Sequence, residues 1–177
     1  MIGWVVAIKT LLFVIGVKSY PMLWDKYAPT PNRWFALWDQ LGFRLLPKIA
    51  EFGYEPKDGS LAFYPLFPWL LRLVAYISGS YLAAGLIVSG IASVAAAVLL
   101  RRLVQLDYDS GVALRSAWFL LIFPTGYFLH VGYSESLFLA LAFGCVLAAR
   151  VNQRGLAGLL GGLCWLTRAT GAVLVPI

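Results

Sequence analysis

A long stretch without charge limits the folds open to this chain. No residue from Leu73 to Leu100 is charged, and the stretch ends at Arg101 and Arg102. About 20 predominantly apolar residues are enough for a helix to cross the hydrocarbon core of a bilayer. Charged residues make up 12% of the sequence, whereas a soluble domain carries about 25%. Because so few polar groups cannot cover a globular surface, we exclude a water-soluble enzyme and predict an all-α, multi-pass membrane protein.

The net charge of +6 lies in short clusters between apolar runs, not on one basic face. This distribution is typical of membrane topology and does not indicate nucleic-acid binding. Arg101, Arg102 and Arg115 flank one connection between apolar segments, and Arg150 and Arg154 flank another. By the positive-inside rule, we expect both connections on the cytoplasmic side.

The apolar segments predict about five transmembrane helices in a single membrane domain that covers residues 1–177. The first span is expected within residues 1–23, where Lys9 and Lys18 would each extend to the nearer interface. Residues 24–79 are predicted to form an outer loop. Four further spans are expected within residues 80–177, near 80–100, 113–131, 136–149 and 155–175.

The outer loop is too polar to span a membrane, yet it is rich in tryptophan, phenylalanine and tyrosine. Aromatic side chains with scattered charges prefer the headgroup region. We therefore expect juxtamembrane amphipathic helices near residues 34–45 and 47–53. Residues 63–78 contain two prolines and are short for a span. We interpret this segment as interfacial or re-entrant, with a full crossing as the alternative.

Small residues recur with the spacing of helix interfaces in lipid. One such ridge consists of Gly85, Ser89, Ser93 and Ala97. Gly158 and Gly162 form a second small pair. Cys145 and Cys164 lie inside apolar segments, where we interpret them as small buried hydrophobes. With one histidine in the chain, they do not provide a zinc site of the usual spacing, so no metal ligand is predicted.

Ionisable residues at membrane depth are costly and are therefore functional candidates. Glu135 either caps the next helix together with Ser134 or serves a site. Arg168 either extends to the headgroups or holds a lipid phosphate through bidentate hydrogen bonds. Asp39 is either a solvated charge or a general base towards a hydroxyl. His130 is interpreted as a packed or interfacial residue. If segment 63–78 does not cross, the predicted topology brings all three candidate charges to one outer face.

Five short motifs occur in order along the chain. They are Trp38-Asp39, 49–54 (IAEFGY), 62–68 (AFYPLFP), 132–138 (GYSESLF) and 167–171 (TRATG). On a membrane chain this set resembles the N-terminal part of the GPI mannosyltransferase 2 (PIG-V) family and its bacterial relatives. The resemblance implies a GT-C-type helical bundle of the GT-C glycosyltransferase superfamily, with its catalytic aspartate in the first outer loop.

The resemblance also implies a reaction. Family members transfer mannose from polyprenyl-phosphate (dolichyl-phosphate) mannose to a glycolipid or glycan acceptor on the non-cytoplasmic face. By resemblance, Asp39 is the base in an inverting attack, and Arg168 stabilises the lipid-phosphate leaving group. The other expected site residues are Glu135, also counted as catalytic, and the substrate-binding candidates Tyr133, Ser134, Glu51 and Tyr54. The sugar donor is a substrate, so no cofactor is expected.

Two features separate this chain from the family pattern. Asp39 and Ile49 are ten positions apart in the sequence, more than is usual in the family. The loop therefore carries an insertion, or Asp39 is not the aligned aspartate. The motifs belong to the N-terminal part of the family, so we expect a chain truncated at its C-terminus.

The sequence leaves one main alternative to the enzyme. It is a non-catalytic or truncated membrane relative that binds a lipid carrier or acts as a subunit. The expected partners are membrane lipids, the sugar donor and the acceptor, without nucleic acid. The expected location is a bacterial plasma membrane or, in a eukaryote, the endoplasmic reticulum.

Overall fold

The structure, a computed structural model, describes residues 2–23, 45–57 and 59–174. These residues form helices and turns without a strand, which confirms the all-helical prediction for this part of the chain. The α-helices are α1 (Ile2–Leu23), α2 (Leu45–Phe52), α3 (Leu66–Ser78), α4 (Tyr81–Val104), α5 (Ser110–Ile122), α6 (Tyr127–His130), α7 (Glu135–Arg150) and α8 (Arg154–Trp165). Short 3₁₀ helices lie at Ser60–Ala62, Pro124–Gly126 and Ala169–Leu174.

Among the described helices, α4 is long and apolar enough to cross a membrane. Helix α5 and segment Pro124–His130 pass the same test together but meet at an angle of 68°. The bend lies where Pro124 holds Phe123 in an extended conformation, since the residue before proline avoids helical backbone angles. The described residues thus contain one or two candidate spans, and the predicted number of about five is not confirmed.

Two of the predicted loop segments are helical in the structure. Helix α2 matches the amphipathic helix expected near residues 47–53, and it buries Leu46, Ile49 and Ala50 on one face. Segment 63–78 forms α3, an apolar helix of 13 residues. At 1.5 Å per residue, such a helix is about 20 Å long, short of the roughly 30 Å hydrocarbon core. The helix expected near residues 34–45 lies outside the described residues.

The predicted small-residue ridge on α4 is buried at all four positions. On α8, the predicted pair Gly158 and Gly162 is not a packing surface in the described part of the chain, because a Cβ at either position would meet nothing within 4 Å. Gly161 packs instead, with its Cβ position 2.9 Å from the Leu174 carbonyl oxygen. Neighbouring helix positions differ by about 100° in direction, so an offset of one residue changes the face. Both cysteines are buried thiols, as predicted.

Two groups of charged residues lie at opposite ends of α7. At its C-terminal end, Arg150 pairs with Asp107 of the turn between α4 and α5. At its N-terminal end, Leu137 packs against the cluster that contains Val88, near the start of α4. Helices α4 and α7 therefore run in the same direction, and both arginine-flanked connections lie at the end far from Glu135.

Lys9 does not extend to an interface as predicted. Its Nζ donates to the Ser89 hydroxyl at 3.3 Å and to the His130 carbonyl oxygen at 2.7 Å. These acceptors lie on α4 and at the end of α6, so an internal polar contact replaces the expected headgroup contact. The prediction that His130 is a packed residue is confirmed, since only 1% of its surface is exposed.

Candidate active site

A cavity of about 280 Å³ lies where α7 begins and α8 ends. Its lining includes Leu46 of α2 and Phe67 of α3. The remaining lining residues belong to three short segments, 62–64, 133–135 and 167–169. Three of the five sequence motifs therefore converge on one cavity, although their lining residues lie up to 107 positions apart along the chain.

The charged centre of the cavity is an ion pair between Arg168 and Glu135. Arg168 Nη1 donates to Glu135 Oε1 at 2.8 Å. The second carboxylate oxygen, Oε2, is buried and has no hydrogen-bond partner within the described residues. Glu135 lies in the first turn of α7, where the helix dipole favours a negative charge. The site thus holds a fixed carboxylate with one oxygen able to accept a further hydrogen bond.

The end of α8 determines where Arg168 lies. The Cys164 carbonyl oxygen accepts hydrogen bonds from the backbone N–H groups of Thr167 and Arg168, at 3.0 and 3.3 Å. A 3₁₀ helix then folds back against α8, so closely that a Cβ on Gly171 would lie 2.5 Å from Cys164 backbone atoms. The predicted span at 155–175 is therefore not one continuous helix. Arg168 lies in the turn that ends α8, not inside a helical span.

The segment before α7 positions Tyr133 and Ser134. The Tyr133 N–H donates to the Val131 carbonyl oxygen at 2.7 Å, and its ring packs edge-on against Phe128 with centroids 5.9 Å apart. Ser134 precedes α7, but its side chain makes no cap hydrogen bond. The helix-capping alternative for Glu135 therefore receives no support from a Ser134 hydrogen bond, although Glu135 does lie in the first turn of α7. The partly buried side chain of Ser134 lines the cavity instead.

Two further predicted site residues, Tyr54 and Glu51, do not line the cavity. The Tyr54 hydroxyl donates to the Phe63 carbonyl oxygen at 3.0 Å, and Phe63 lines the cavity. Partial burial raises the pKa of the Tyr54 phenol, which favours the protonated form that donates this bond. Glu51 is exposed on α2, and its backbone carbonyl accepts a hydrogen bond from Arg72. Asp39 lies outside the described residues.

The cavity also includes side chains that the sequence analysis did not select. Tyr64 and Thr167 line it, although both lie inside motifs recognised in the sequence. The Phe138 ring lies 6.0 Å from Arg168 Cζ, at the outer limit of a cation–π contact. Phe138 could have been selected from the sequence, because it lies three residues after Glu135 and such residues share a helix face. No group of three or more His, Cys, Asp or Glu side chains gathers anywhere in the described ranges.

A long apolar groove of about 940 Å³ runs between α4, α7 and α8. Leu70 and Leu137 line it at the end near the ion pair, and Arg102 and Gln153 line it at the opposite end. Leu137 is two residues from Glu135, and it packs on the same cluster as the cavity residue Tyr133. The groove is long and apolar enough to take an extended hydrocarbon chain.

Comparison with known proteins identifies the family. The family model described as mannosyltransferase (PIG-V) matches residues 16–173, a range that includes all five motifs. Comparisons with curated proteins and with solved structures give no match. Because the family model covers most of the sequence, the chain belongs to the PIG-V mannosyltransferase family and is a glycosyltransferase.

Proposed function

We propose that this chain transfers mannose from polyprenyl-phosphate mannose to a hydroxyl group of a glycolipid or glycan, with inversion at the anomeric carbon. The observation that carries this proposal is the Arg168–Glu135 pair, in a cavity where three motif segments meet. In such a reaction a carboxylate can bind sugar hydroxyls, and a cation beside it can bind the phosphate that leaves.

Arg168 is the proposed phosphate ligand. A guanidinium carries five N–H donors in a planar fork, and one of them is occupied by Glu135. The remaining donors of Arg168 make no hydrogen bond within the described residues, and 43% of its side chain is exposed. They are available for a phosphate, on which negative charge grows as the bond to the sugar breaks.

The reaction is a single displacement. The acceptor hydroxyl oxygen attacks the anomeric carbon, and the bond from that carbon to the phosphate oxygen breaks. The electron pair leaves with the lipid phosphate, next to Arg168. The hydroxyl proton goes to a carboxylate base, a role that the family resemblance assigns to Asp39. Glu135 Oε2, with Tyr133 and Ser134, binds sugar hydroxyls and fixes their orientation. Glu51 and Tyr54 are assigned to the outer margin of the site.

The apolar groove supports a lipid-linked donor. A polyprenyl chain is an extended hydrocarbon, and a groove lined mostly by apolar side chains can pack against it without burying many polar groups. With the phosphate at Arg168, the chain would enter the groove past Leu137 and continue along α4 and α7. Neither a soluble sugar nucleotide nor a free sugar phosphate would use such a surface.

The charge distribution supports a site on the non-cytoplasmic face of a multi-pass protein. Arg150 and Asp107 meet at one end of the helices, together with the other arginines of the two connections. The Arg168–Glu135 pair lies at the other end. The positive-inside rule assigns the arginine-rich end to the cytoplasm. The site then faces the lumen or the periplasm, where the acceptors would be found.

The test is transfer of labelled mannose from polyprenyl-phosphate mannose, in membranes that contain this chain and no other such enzyme. Candidate acceptor lipids are supplied, and product is extracted and counted. We expect transfer by the native chain and loss of transfer in Asp39→Asn. An Asp39→Asn variant that folds and transfers normally would contradict the assignment of the base. No transfer by a folded, inserted chain would favour the non-catalytic alternative, and binding of the lipid carrier would then be measured.

A further inference from the structure

We infer that Lys9 is a positioning residue for the active site: its Nζ caps the end of α6 and fixes the turn that carries Tyr133 and Glu135. The effect of Lys9 on transfer rests on the proposed function. Its effect on the structure of the turn does not, and the experiment below measures the two separately.

The first observation is the way in which α6 ends. The last carbonyl groups of a helix have no partner within the helix, and at membrane depth they need donors from elsewhere in the protein. The Leu129 carbonyl oxygen accepts a hydrogen bond from the Ser93 hydroxyl of α4. The His130 carbonyl oxygen accepts from Lys9 Nζ at 2.7 Å. Leu129 and His130 are 2% and 1% exposed, so water does not replace these donors.

The second observation is the space that α4 leaves for the lysine. Gly90 lies next to Ser89 on α4, and a Cβ at Gly90 would lie 3.3 Å from Lys9 Cε. A larger residue at this position would obstruct the path of the side chain towards the end of α6. One turn earlier in α1, Val5 is buried. Lys9 therefore lies on a packed face of α1, and its side chain passes α4 at Gly90, where α4 has no side chain.

The third observation is the short path from Lys9 to the ion pair. The His130 carbonyl lies five residues before Glu135 in the sequence. Val131 and Gly132 between them are buried, and the Tyr133 N–H is bonded to the Val131 carbonyl oxygen. The His130 ring is also held, with Nε2 3.2 Å from the Leu121 carbonyl oxygen. A displaced His130 carbonyl would therefore shift Tyr133 and Glu135.

Hydrogen exchange measured by mass spectrometry tests the structural part on the full chain in detergent. Lys9→Met removes the donor but keeps the length of the side chain. We expect backbone amides of residues 129–135 to exchange about tenfold faster or more, because a buried carbonyl loses a charged donor. Lys9→Arg keeps a donor and should exchange close to the native rate. Lys18→Met is the matched control, since Lys18 is an exposed lysine on the same helix.

A second variant covers the case in which Lys9→Met does not fold. Gly90→Leu keeps the lysine but fills the space that its Cε occupies, while leucine favours a helix more than glycine does. We expect faster exchange confined to residues 129–135 here also. Native exchange at 129–135 in both variants would overturn the inference. So would an equal acceleration across α3, α4 and α7, because that result would mean a general loss of stability.

Kinetics then test whether Lys9 acts through Glu135. We expect Lys9→Met to lower kcat for mannosyl transfer about tenfold and to change KM for the lipid donor little, with recovery in Lys9→Arg. In a Glu135→Gln background, Lys9→Met should lower kcat no further, since coupled residues are not additive. Losses that multiply would contradict action through Glu135. Absence of transfer by the native chain would contradict the proposed function, while the exchange result would still decide the role of Lys9.

Discussion

Two arginine–carboxylate pairs lie at opposite ends of α7, and they are built differently. At the C-terminal end, Arg150 donates to both oxygens of Asp107, at 2.6 and 3.1 Å. Both side chains of this pair are about half exposed. At the N-terminal end, Arg168 donates to one oxygen of Glu135 at 2.8 Å. The second oxygen of that carboxylate is buried and unpaired within the described residues.

The difference separates a pair that closes a turn from a pair that can bind a ligand. In the Asp107–Arg150 pair each carboxylate oxygen has a partner, so this pair joins two connections without leaving an unpaired buried acceptor. An unpaired buried acceptor costs on the order of 1–3 kcal/mol of stability. Glu135 carries such an oxygen beside a cavity, where a sugar hydroxyl would satisfy it. The incomplete pair is therefore the one expected at a binding site.

Replacing the cation of each pair should give the largest contrast. Arg168→Met should lower the rate of mannosyl transfer about 10²–10³-fold, because the leaving phosphate loses a charged donor. Arg150→Met removes the same side chain from the other pair and should leave transfer within about twofold, since exposed ion pairs contribute little. Initial rates with equal amounts of folded protein measure both effects. Equal losses in the two variants would remove the functional distinction between the pairs.

Neutralising the carboxylate at the site should have a smaller effect than removing the arginine. Glu135→Gln keeps the shape of the side chain and can still accept one hydrogen bond, but it loses the charge that orients Arg168. We expect transfer to fall about 10–100-fold, a loss of about 1.5–3 kcal/mol for hydrogen bonds to a charged group. Steady-state kinetics over a range of donor concentrations measure the change. A variant with native kcat and KM would show that Glu135 is only a helix-end charge.

A substitution at Tyr54, which we assign to the outer margin of the site, should change transfer still less. Tyr54→Phe removes one hydrogen bond, from the phenol to the Phe63 carbonyl oxygen. The cavity wall should lose about 1 kcal/mol of stability, the usual net contribution of such a hydrogen bond. We expect transfer to fall about two- to fivefold, mainly through KM. Tyr76→Phe is a suitable control, because Tyr76 is 91% exposed on α3. A loss as large as that of Glu135→Gln would indicate direct contact of Tyr54 with the substrate.

The sequence predicted the helical class and identified Glu135 and Arg168 as candidates on one face. The free-energy cost of a charge in lipid and the positive-inside rule were enough to select these two residues and to assign them to one face. Both rules depend only on residue type and order. The contact between the two residues, separated by 33 positions, was not predictable from those rules. It depends on where α8 stops, and neither a proline nor a glycine between Trp165 and Arg168 marks that point in the sequence.

Lys9 and the glycines of α8 illustrate the same limit. A lysine in an apolar helix satisfies its amine at an interface or at an internal acceptor, and the acceptor here is 121 residues away in the sequence. Gly161 and Gly162 are equally small, so composition does not reveal which one faces a neighbour. Both contacts are decided by tertiary packing, which residue type and order do not reveal. The roles of the cavity residues in transfer stay predictions.

The smallest effect is expected at the satisfied pair. The hydrogen bond from Arg150 lowers the pKa of Asp107 below its ordinary value. A carboxyl group with a lowered pKa stabilises the folded state above its unfolded pKa of about 3.9 and loses that contribution as the pH falls through its folded pKa. Between pH 5 and pH 8, the melting temperature of Asp107→Asn should therefore lie within about 2 °C of the native value, with no trend in pH. A larger, salt-sensitive difference in that range would mean that the pair joining the two connections is essential to the fold, and that the two ends of α7 differ less than their geometry indicates.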